Sequence, residues 1–429
     1  MKKFPETKIL DPLHEVLVIL FFAGFIIAYR PLVGLTTILM ACNAFLNNRL
    51  ETGKWWNPRY FNLFILGLLF YCTIQAVALF YTANRPSGID IFQTNLGMVI
   101  LPVGLMYSSF VNRGSFGRWM KGYIVILFTA TLAALVHAAI SYSHHADSSV
   151  FFYHALVSLY SNHAIQFSLI VFVGILFLIE EYTRPSFLSN RRFTGALIIY
   201  FSIFLFLLTS KLVIITYFVY LVYLFAFTEY LIVGRLNRIA GVCLSLSLVI
   251  VFYATNSPIK KRLVEEWQAP ISMIRNDKFS PSDYFSGVQF RLVSWRFVYE
   301  ILNENHAWIL GLSPGDSQDF LNEKYRRENM FMGDPNGNRT GYSNYHTHNQ
   351  FLQATLESGL IGLACFVITC IGLISLAKRS ANQSLVVYVI LLICYCFTDA
   401  PLRTQYGIVL FVFFPLLLYK GNLQKVVGS

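Results

Sequence analysis

The sequence predicts an all-α membrane protein that crosses the bilayer many times and carries one large loop outside the membrane. Three observations predict this class. The chain of 429 residues is 56% hydrophobic and only 13% charged, which is too apolar for a soluble protein of this length. Apolar runs that can cross about 30 Å of hydrocarbon recur along the chain. One far more polar stretch, residues 255–347, interrupts the series.

The apolar runs predict about twelve membrane spans. They lie near residues 13–29, 31–46, 60–81, 89–111, 119–142, 161–182, 193–209, 212–230, 236–254, 349–376, 383–398 and 404–419. Nine spans then precede the large loop and three follow it, which divides the chain into residues 1–254, 255–347 and 348–429. We expect no cleaved signal peptide, because the first apolar run lacks a small-residue cleavage site.

Basic residues outside the large loop are divided unequally between the two ends of the predicted spans. With the N-terminus in the cytoplasm, eighteen lie on the inner side and four, Arg30, Arg85, Lys211 and Arg403, on the outer side. This division follows the positive-inside rule and places the large loop outside. The net charge of +11 therefore reflects topology, and no nucleic-acid partner is expected.

The exit of the large loop carries the strongest candidate for chemistry. The stretch His346-Thr-His-Asn349 runs directly into an apolar helix, so that His348 lies at the rim of the bilayer. An imidazole can accept or donate a proton near neutral pH. The position therefore suggests chemistry on a lipid-linked substrate, with His346 and Asn349 as candidates for substrate contact.

Alternatives for the histidines stay open. His346 and His348 could together ligate a metal, but no Cys, Asp or Glu accompanies them at ligand spacing, and we expect no metal. Glu357 is a poor orienting partner for His348, because nine helical residues rotate it by about 900° to the opposite face. His163, before the sixth span, either lines the same external cavity or faces solvent and headgroups.

A helix over residues 287–303 is predicted inside the large loop. An apolar stripe recurs there at helical spacing: Val288, Leu292, Trp295, Val298, Tyr299 and Leu302. Arg291 falls on this stripe, and a buried guanidinium needs an anionic partner. That partner is either a loop carboxylate, such as Asp316 or Glu323, or an anionic substrate.

The four basic residues on the outer side form a second constellation. Each either extends to the lipid headgroups, as long side chains at helix ends often do, or holds an anionic substrate. Lys211 has little freedom because it lies in a tight turn between two predicted spans. Several fixed cations at one membrane face are what a lipid diphosphate requires.

Three sequence elements resemble the O-antigen ligase and polymerase superfamily of bacterial envelope glycosyltransferases. They are Thr209-Ser-Lys211, where the family usually has Ser-Arg; Phe290-Arg-Leu-Val-Ser-Trp295, similar to its Arg-x-x-x-Trp element; and His346-Thr-His-Asn349 with Leu352, Glu357, Gly359 and Gly362. Lys211 departs from the usual arginine and cannot form its planar two-point contact with phosphate.

The resemblance implies transfer of a glycan from undecaprenyl diphosphate to an acceptor at the periplasmic face of the bacterial inner membrane, with inversion and without a metal or other cofactor. It implies that His348 is the base, and that Arg291 and Lys211, with Arg30, Arg85 or Arg403, hold the diphosphate. The two-histidine form favours a ligase with a lipid A-core acceptor. A polymerase that uses the same donor and a glycan acceptor stays open.

A transporter of lipid-linked sugars is the rival from another class. It would also need a cationic cavity, but it predicts charged or Gly/Pro-broken spans near the bilayer midplane, and often two related halves. The ionisable residues of this chain gather instead at the outer rim of the predicted spans. This placement favours an enzyme over a transporter and over a membrane scaffold.

Overall fold

The computed structural model describes residues 7–55, 61–106, 113–160, 163–183, 188, 190–227, 271–283, 285–334, 341–380 and 382–427. The regular structure in these ranges is helical, which confirms the all-α class. Among the described residues, four helices are long and apolar enough to cross a membrane: Arg85–Met106, Ser115–His145, Ala164–Thr183 and Gln350–Ser380. The count of twelve spans and the placement of the loop stay predictions, and the ninth predicted span lies outside the described residues.

Ten helices lie before the large loop in the part of the chain that the structure describes. They are α1 (Thr7–Ile26), α2 (Arg30–Thr52), α3 (Leu63–Ala78), α4 (Arg85–Asn95), α5 (Gly97–Met106), α6 (Arg113–His145), α7 (Tyr153–Leu156), α8 (Ala164–Thr183), α9 (Arg191–Leu207) and α10 (Lys211–Phe227). Asparagine side chains cap α3, α4 and α9 by accepting backbone N–H groups of the first turn. The span predicted at 89–111 is divided into α4 and α5, with Leu96 between them.

The large loop contributes two described α-helices, and four more follow it. They are α11 (Gly287–Glu304), α12 (Ser317–Arg327), α13 (Gln350–Ser380), α14 (Gln383–Thr398), α15 (Gln405–Ile408) and α16 (Phe414–Val427), with a π-helical turn over Val409–Phe413. The helix predicted over 287–303 is therefore confirmed as α11.

The buried face of α11 differs from the predicted stripe. Val288 and Tyr299 are 45% and 58% exposed, whereas Phe290, Val293 and Phe297 are buried. The predicted face was right for Val298 and Leu302, which are buried, and wrong for Val288 and Tyr299. Apolar residues surround most of this helix, so that periodicity alone leaves the face undetermined. Aromatic packing within the loop decides which side is covered.

The helices of the bundle share one continuous apolar core, in which α3 packs along α13 and α2 packs against α1 and α5. The outward faces are apolar as well. On α9 and α10 the exposed fractions of Ile199, Ile203, Ile215 and Val219 lie between 57% and 64%. Rows of exposed aliphatic side chains suit contact with lipid rather than with water.

The described part of the large loop has a small core of its own. Phe279, Phe290, Phe297, Leu321 and Tyr325 belong to it, together with Leu356 from the membrane helix α13. A buried ammonium joins its two helices, since Lys324 of α12 lies 2.7 Å from Glu300 and 3.0 Å from Glu304 of α11. The loop is thus packed onto the first turns of α13.

A kink in α13 forms the contact between the loop and the bundle. Ser358 and Gly359 leave helical geometry, and Gly359 has φ +63° and ψ −160°. Only glycine adopts this conformation without strain. A Cβ at Gly359 would also lie 2.1 Å from the carbonyl oxygen of Ile309.

The kink frees backbone carbonyls of α13, and the loop satisfies them. The Leu312 N–H donates to the Leu356 carbonyl oxygen at 2.8 Å, and the Ser313 N–H donates to that of Glu357 at 3.0 Å. Buried carbonyls without a partner are costly. Loop and kink therefore stabilise each other.

We expect Gly359→Ala to destabilise the protein. The left-handed backbone alone costs about 1–3 kcal/mol for a residue with a Cβ, and the clash with Ile309 adds to this cost. The apparent melting temperature in detergent should fall clearly. Gly195→Ala is the matched control, because a Cβ there would lie an ordinary 3.8 Å from Tyr182. Equal melting temperatures for the two variants would show that the kink is not a structural constraint.

Candidate active site

The segment His346–Asn349 is held by its buried middle residue. The indole Nε1 of Trp295 and the hydroxyl of Ser294, both on α11, donate to the Thr347 carbonyl oxygen at 3.1 and 3.3 Å. Thr347 is fully buried, whereas the side chains of His346 and His348 are 27% and 24% exposed. Anchoring Thr347 leaves the two imidazoles side by side in a partly open site, with ring centroids 4.2 Å apart.

The start of α13 fixes the backbone after this anchor. Asn349 Oδ1 accepts the N–H groups of Phe351 and Leu352 at 2.9 and 3.2 Å, so this side chain caps the helix. His348 has φ +47°, a region in which a residue other than glycine is uncommon and strained. The predicted contact between Asn349 and substrate stays a prediction, since its side chain is 5% exposed and engaged in the cap.

A carboxylate from a distant part of the chain completes the cluster. Asp399 Oδ1 lies 3.4 Å from His346 Nε2 and 3.6 Å from His348 Nδ1. The carboxylate is itself fixed, because Tyr395 Oη donates to Oδ2 at 2.8 Å and the Ala400 N–H donates to Oδ1 at 2.9 Å. We call His346, His348 and Asp399 the His–Asp cluster.

The electrostatics of the cluster separate the roles of the two histidines. Burial lowers the pKa of His346 far below its ordinary value, and the charges of His348 and Arg403 act in the same direction. Neutral His346 accepts the His348 backbone N–H through Nδ1 at 3.1 Å, which assigns its proton to Nε2, facing Asp399. Both of its nitrogens are thus engaged. His348 faces Asp399 through Nδ1, and its Nε2 can serve a substrate.

Asp399 is kept ionised by its surroundings. Burial would raise the pKa of this carboxyl, but the hydrogen bonds that it accepts and the neighbouring imidazoles hold its pKa below the ordinary value. An ionised carboxylate beside an imidazole orients the ring and stabilises the imidazolium that forms when the ring takes a proton. The distance of 3.6 Å to His348 is longer than a direct hydrogen bond, so the effect is mainly electrostatic.

Asp399 is the functional candidate that sequence reasoning missed. Helical spacing gave reason to reject Glu357, the nearby carboxylate, as a partner of His348. In the structure Glu357 accepts a hydrogen bond from Gln353 instead. A signal existed, because Asp399 lies in the short connection between the last predicted spans, on the same outer side as His348. Ionisable residues at membrane-helix ends are functional candidates by default.

Arg291 lies beside the cluster on α11. Its Nε donates to the Thr398 carbonyl oxygen at 3.0 Å, and its Nη1 donates to that of Gly287 at 3.0 Å. Asp316, proposed as a partner of Arg291, instead accepts the N–H groups of Ala83 and Asn84 at 2.9 and 2.7 Å. The guanidinium is therefore held by backbone oxygens next to Asp399.

The Arg-x-x-x-Trp spacing has a direct structural meaning. Arg291 and Trp295 are one helical turn apart and project from the same side of α11. Arg291 bonds the backbone carbonyl that precedes Asp399, and Trp295 bonds the carbonyl between the two histidines. One helix face thus joins the two segments that supply the cluster.

A second polar network lies next to the cluster inside the bundle. Glu357, 3% exposed in its side chain, accepts hydrogen bonds from Gln353 at 2.7 Å and from Gln75 of α3 at 2.9 Å. Arg403 Nη1 lies 3.3 Å from the same carboxylate. This network fixes the short segment between Asp399 and α15.

The remaining predicted site residues lie in four different places. Arg30 and Arg403 line one cavity. His163 is exposed before α8, with its ring 4.3 Å from that of His154, and its charge also acts to lower the pKa of His346. Lys211 starts α10 and Arg85 starts α4, where Arg85 is exposed. Their contacts with substrate stay predictions.

The cluster also offers three ligand atoms within 4.8 Å of one another. Two imidazoles and one carboxylate suit a divalent transition-metal ion. No carboxylate accompanies the histidines in the sequence, but the fold brings Asp399 to them. The fold therefore supplies one more metal ligand than the sequence indicated. The effect of a chelator on activity distinguishes a metal site from a metal-free base.

Residues 196–367 match the family model described as O-Antigen ligase. The match supports the predicted resemblance to the O-antigen ligase and polymerase superfamily. The matched region contains Lys211, Arg291, Trp295 and both histidines of the cluster, whereas Asp399, Arg30 and Arg403 lie outside it. Comparison with curated proteins gives no match. The family implies a membrane enzyme of the glycosyltransferase type that acts on lipid-linked glycans.

Proposed function

We propose that this protein is an O-antigen ligase, which transfers a glycan from undecaprenyl diphosphate to a lipid A-core acceptor. The observation that carries the proposal is the His–Asp cluster with Arg291 beside it, of which both histidines and Arg291 lie inside the region that matches the family. A base and a fixed cation close together are what the displacement of a diphosphate by a sugar hydroxyl requires.

The proposed reaction is a single displacement with inversion. The oxygen of an acceptor hydroxyl forms a bond to the anomeric carbon of the donor while the bond from that carbon to the diphosphate oxygen breaks. His348 Nε2 takes the hydroxyl proton, and Asp399 stabilises the resulting imidazolium across 3.6 Å. The electron pair of the broken bond leaves with the diphosphate, and the reaction needs no metal.

The leaving diphosphate gains charge in the transition state and needs fixed cations. Arg291 is held next to Asp399 by two backbone carbonyl oxygens, so that it is positioned before the substrate arrives. Lys211 is the second candidate, as a point charge without the planar contact of an arginine.

We place this reaction at the periplasmic face of the bacterial inner membrane. The support is the excess of basic residues at the opposite ends of the predicted spans, which puts the N-terminus in the cytoplasm. The donor arrives there already activated. No nucleotide is needed.

Substitution of the proposed base tests the proposal. We expect His348→Ala to reduce the rate of transfer by about 10²- to 10⁴-fold, the usual effect of removing a general base. Arg291→Lys should raise the donor KM, because a lysine cannot replace the two-point contact of a guanidinium. The control is His145→Ala, since His145 is exposed at the end of α6. Near-normal transfer by His348→Ala in a purified assay would refute the assignment of the base.

A second assay tests the acceptor and the absence of a metal together. Purified protein with polyprenyl-diphosphate glycan and lipid A-core should stay active in excess EDTA, because fixed arginine and lysine side chains neutralise the diphosphate. Loss of activity in EDTA, restored by a divalent metal, would favour the metal alternative at the cluster. With donor alone a ligase yields no longer lipid-linked glycan, whereas chain extension would identify a polymerase.

A further inference from the structure

A cavity of about 520 Å³ lies between α2, α4, α5 and the segment that starts at Arg403. Its lining is partly polar and partly apolar. The polar residues include Arg30, Asp90, Gln93, Arg403 and Gln405; the apolar residues include Val33, Ile38, Ile100 and Ile408. Such a division suits a molecule with a polar head and an apolar tail.

The arginines of the lining favour an anionic head. Two arginines and one carboxylate line the cavity. Arg30 is exposed at the start of α2. Arg403 Nη1 lies 3.3 Å from Glu357, which fixes this guanidinium and offsets part of its charge. An arginine can bind phosphate through two parallel hydrogen bonds.

The apolar part continues as a track along α2 and α5. Residues 30, 33, 34, 37 and 38 of α2 line the cavity, which is the spacing of one helix face over about 12 Å. A second cavity, of about 290 Å³, shares Ile100 with the first and is lined farther along by Ala41, Phe45 and Met106. The apolar lining residues along α2 and α5 suit contact with a hydrocarbon chain.

The cavity adjoins the His–Asp cluster. Arg403 lies four residues after Asp399, and its charge acts to lower the pKa of His346. Arg291 bonds the carbonyl that precedes Asp399. Arg291 therefore contacts the residue before Asp399, and Arg403 lies four residues after it. A group transfer needs two substrates that meet at one base.

We propose that the cavity between Arg30 and Arg403 binds the acceptor as a lipid-linked phosphate, with the phosphate at the two arginines and the hydrocarbon chain along α2 and α5. This inference rests on the proposed function and adds the place and chemistry of its second substrate. The phosphate belongs either to lipid A-core or to the diphosphate of a second polyprenyl-linked glycan. The acceptor sugar then points toward His348.

Kinetics of cavity variants test the proposal. Arg30→Gln should raise the acceptor KM about 10- to 100-fold, the effect of losing a hydrogen bond to a charged group, with the donor KM and kcat within about twofold of wild type. Arg326→Gln is the control, because Arg326 is exposed on α12. An unchanged acceptor KM in Arg30→Gln, or a rise in the donor KM instead, would overturn the proposal.

Gly34 offers a variant that keeps the charges. A Cβ there would lie 3.6 Å from Gln405 Nε2, an ordinary contact, so Gly34→Ala should be tolerated. Gly34→Leu should fill the cavity and raise the acceptor KM as Arg30→Gln does. Wild-type kinetics in Gly34→Leu would contradict occupation of the cavity by the acceptor.

Binding by the purified full-length protein separates this inference from the proposed function. Native mass spectrometry should detect bound lipid A-core or polyprenyl diphosphate, weaker binding in Arg30→Gln, and no comparable binding of uncharged polyprenol. Lipid binding that depends on the phosphate and on Arg30 supports the proposed cavity, even if no transfer is detected. Absence of transfer would refute only the proposed function. If Arg30→Gln loses binding of lipid A-core, the cavity holds the acceptor of a ligase. If it loses only binding of polyprenyl diphosphate, the cavity holds the acceptor of a polymerase. Equal binding of polyprenol would overturn the proposal.

Discussion

Two hydrogen bonds from one face of α11 hold the site together. Trp295 donates to the Thr347 carbonyl oxygen and Arg291 donates to the Thr398 carbonyl oxygen, at 3.1 and 3.0 Å. Because both acceptors are backbone atoms, these bonds fix the chain segments rather than individual rotamers. The approach of His348 to Asp399 depends on both. A displacement of about 1 Å at such a site can cost about 100-fold in rate.

The position of α11 depends in turn on the kink in α13. The loop core packs Leu356 of α13 against the aromatic side chains of α11 and α12, and loop N–H groups bond the carbonyls that the kink frees. The same turn of α13 presents Glu357 to Arg403 and Gln75. Loop, bundle and site are therefore coupled through a few residues around Gly359.

The sequence predicted those parts of the structure that local pattern determines. The apolar runs indicated membrane helices, and the limits of α11 follow from its periodicity. The motif at the loop exit drew attention to His348, whose role as the base stays a prediction. The orienting carboxylate was not predicted, because Asp399 and His348 are joined only by the packing of α13, α14 and α11. The kink was not predicted either, since a glycine in a membrane helix does not by itself reveal a left-handed residue.

The positions of the arginines were also beyond what the local sequence pattern could predict. Four basic residues on the outer side suggested a common role, but the structure separates them: Arg30 and Arg403 share a cavity, whereas Arg85 is exposed at the start of α4. Arg291 was expected to need a carboxylate or a substrate anion, and backbone oxygens hold it in the described structure. Charge pattern predicts the side of the membrane, and only the fold decides which cations meet.

The central claim is that His348 and Asp399 act as one unit. A double-mutant cycle tests it most directly, with transfer rates measured for His348→Ala, Asp399→Asn and the double variant. Residues that act as a unit give strongly non-additive losses. The account predicts that the double variant is no slower than His348→Ala alone, because Asp399 has no imidazole left to orient. Losses that multiply in the double variant would show that the two residues act independently and would contradict the account.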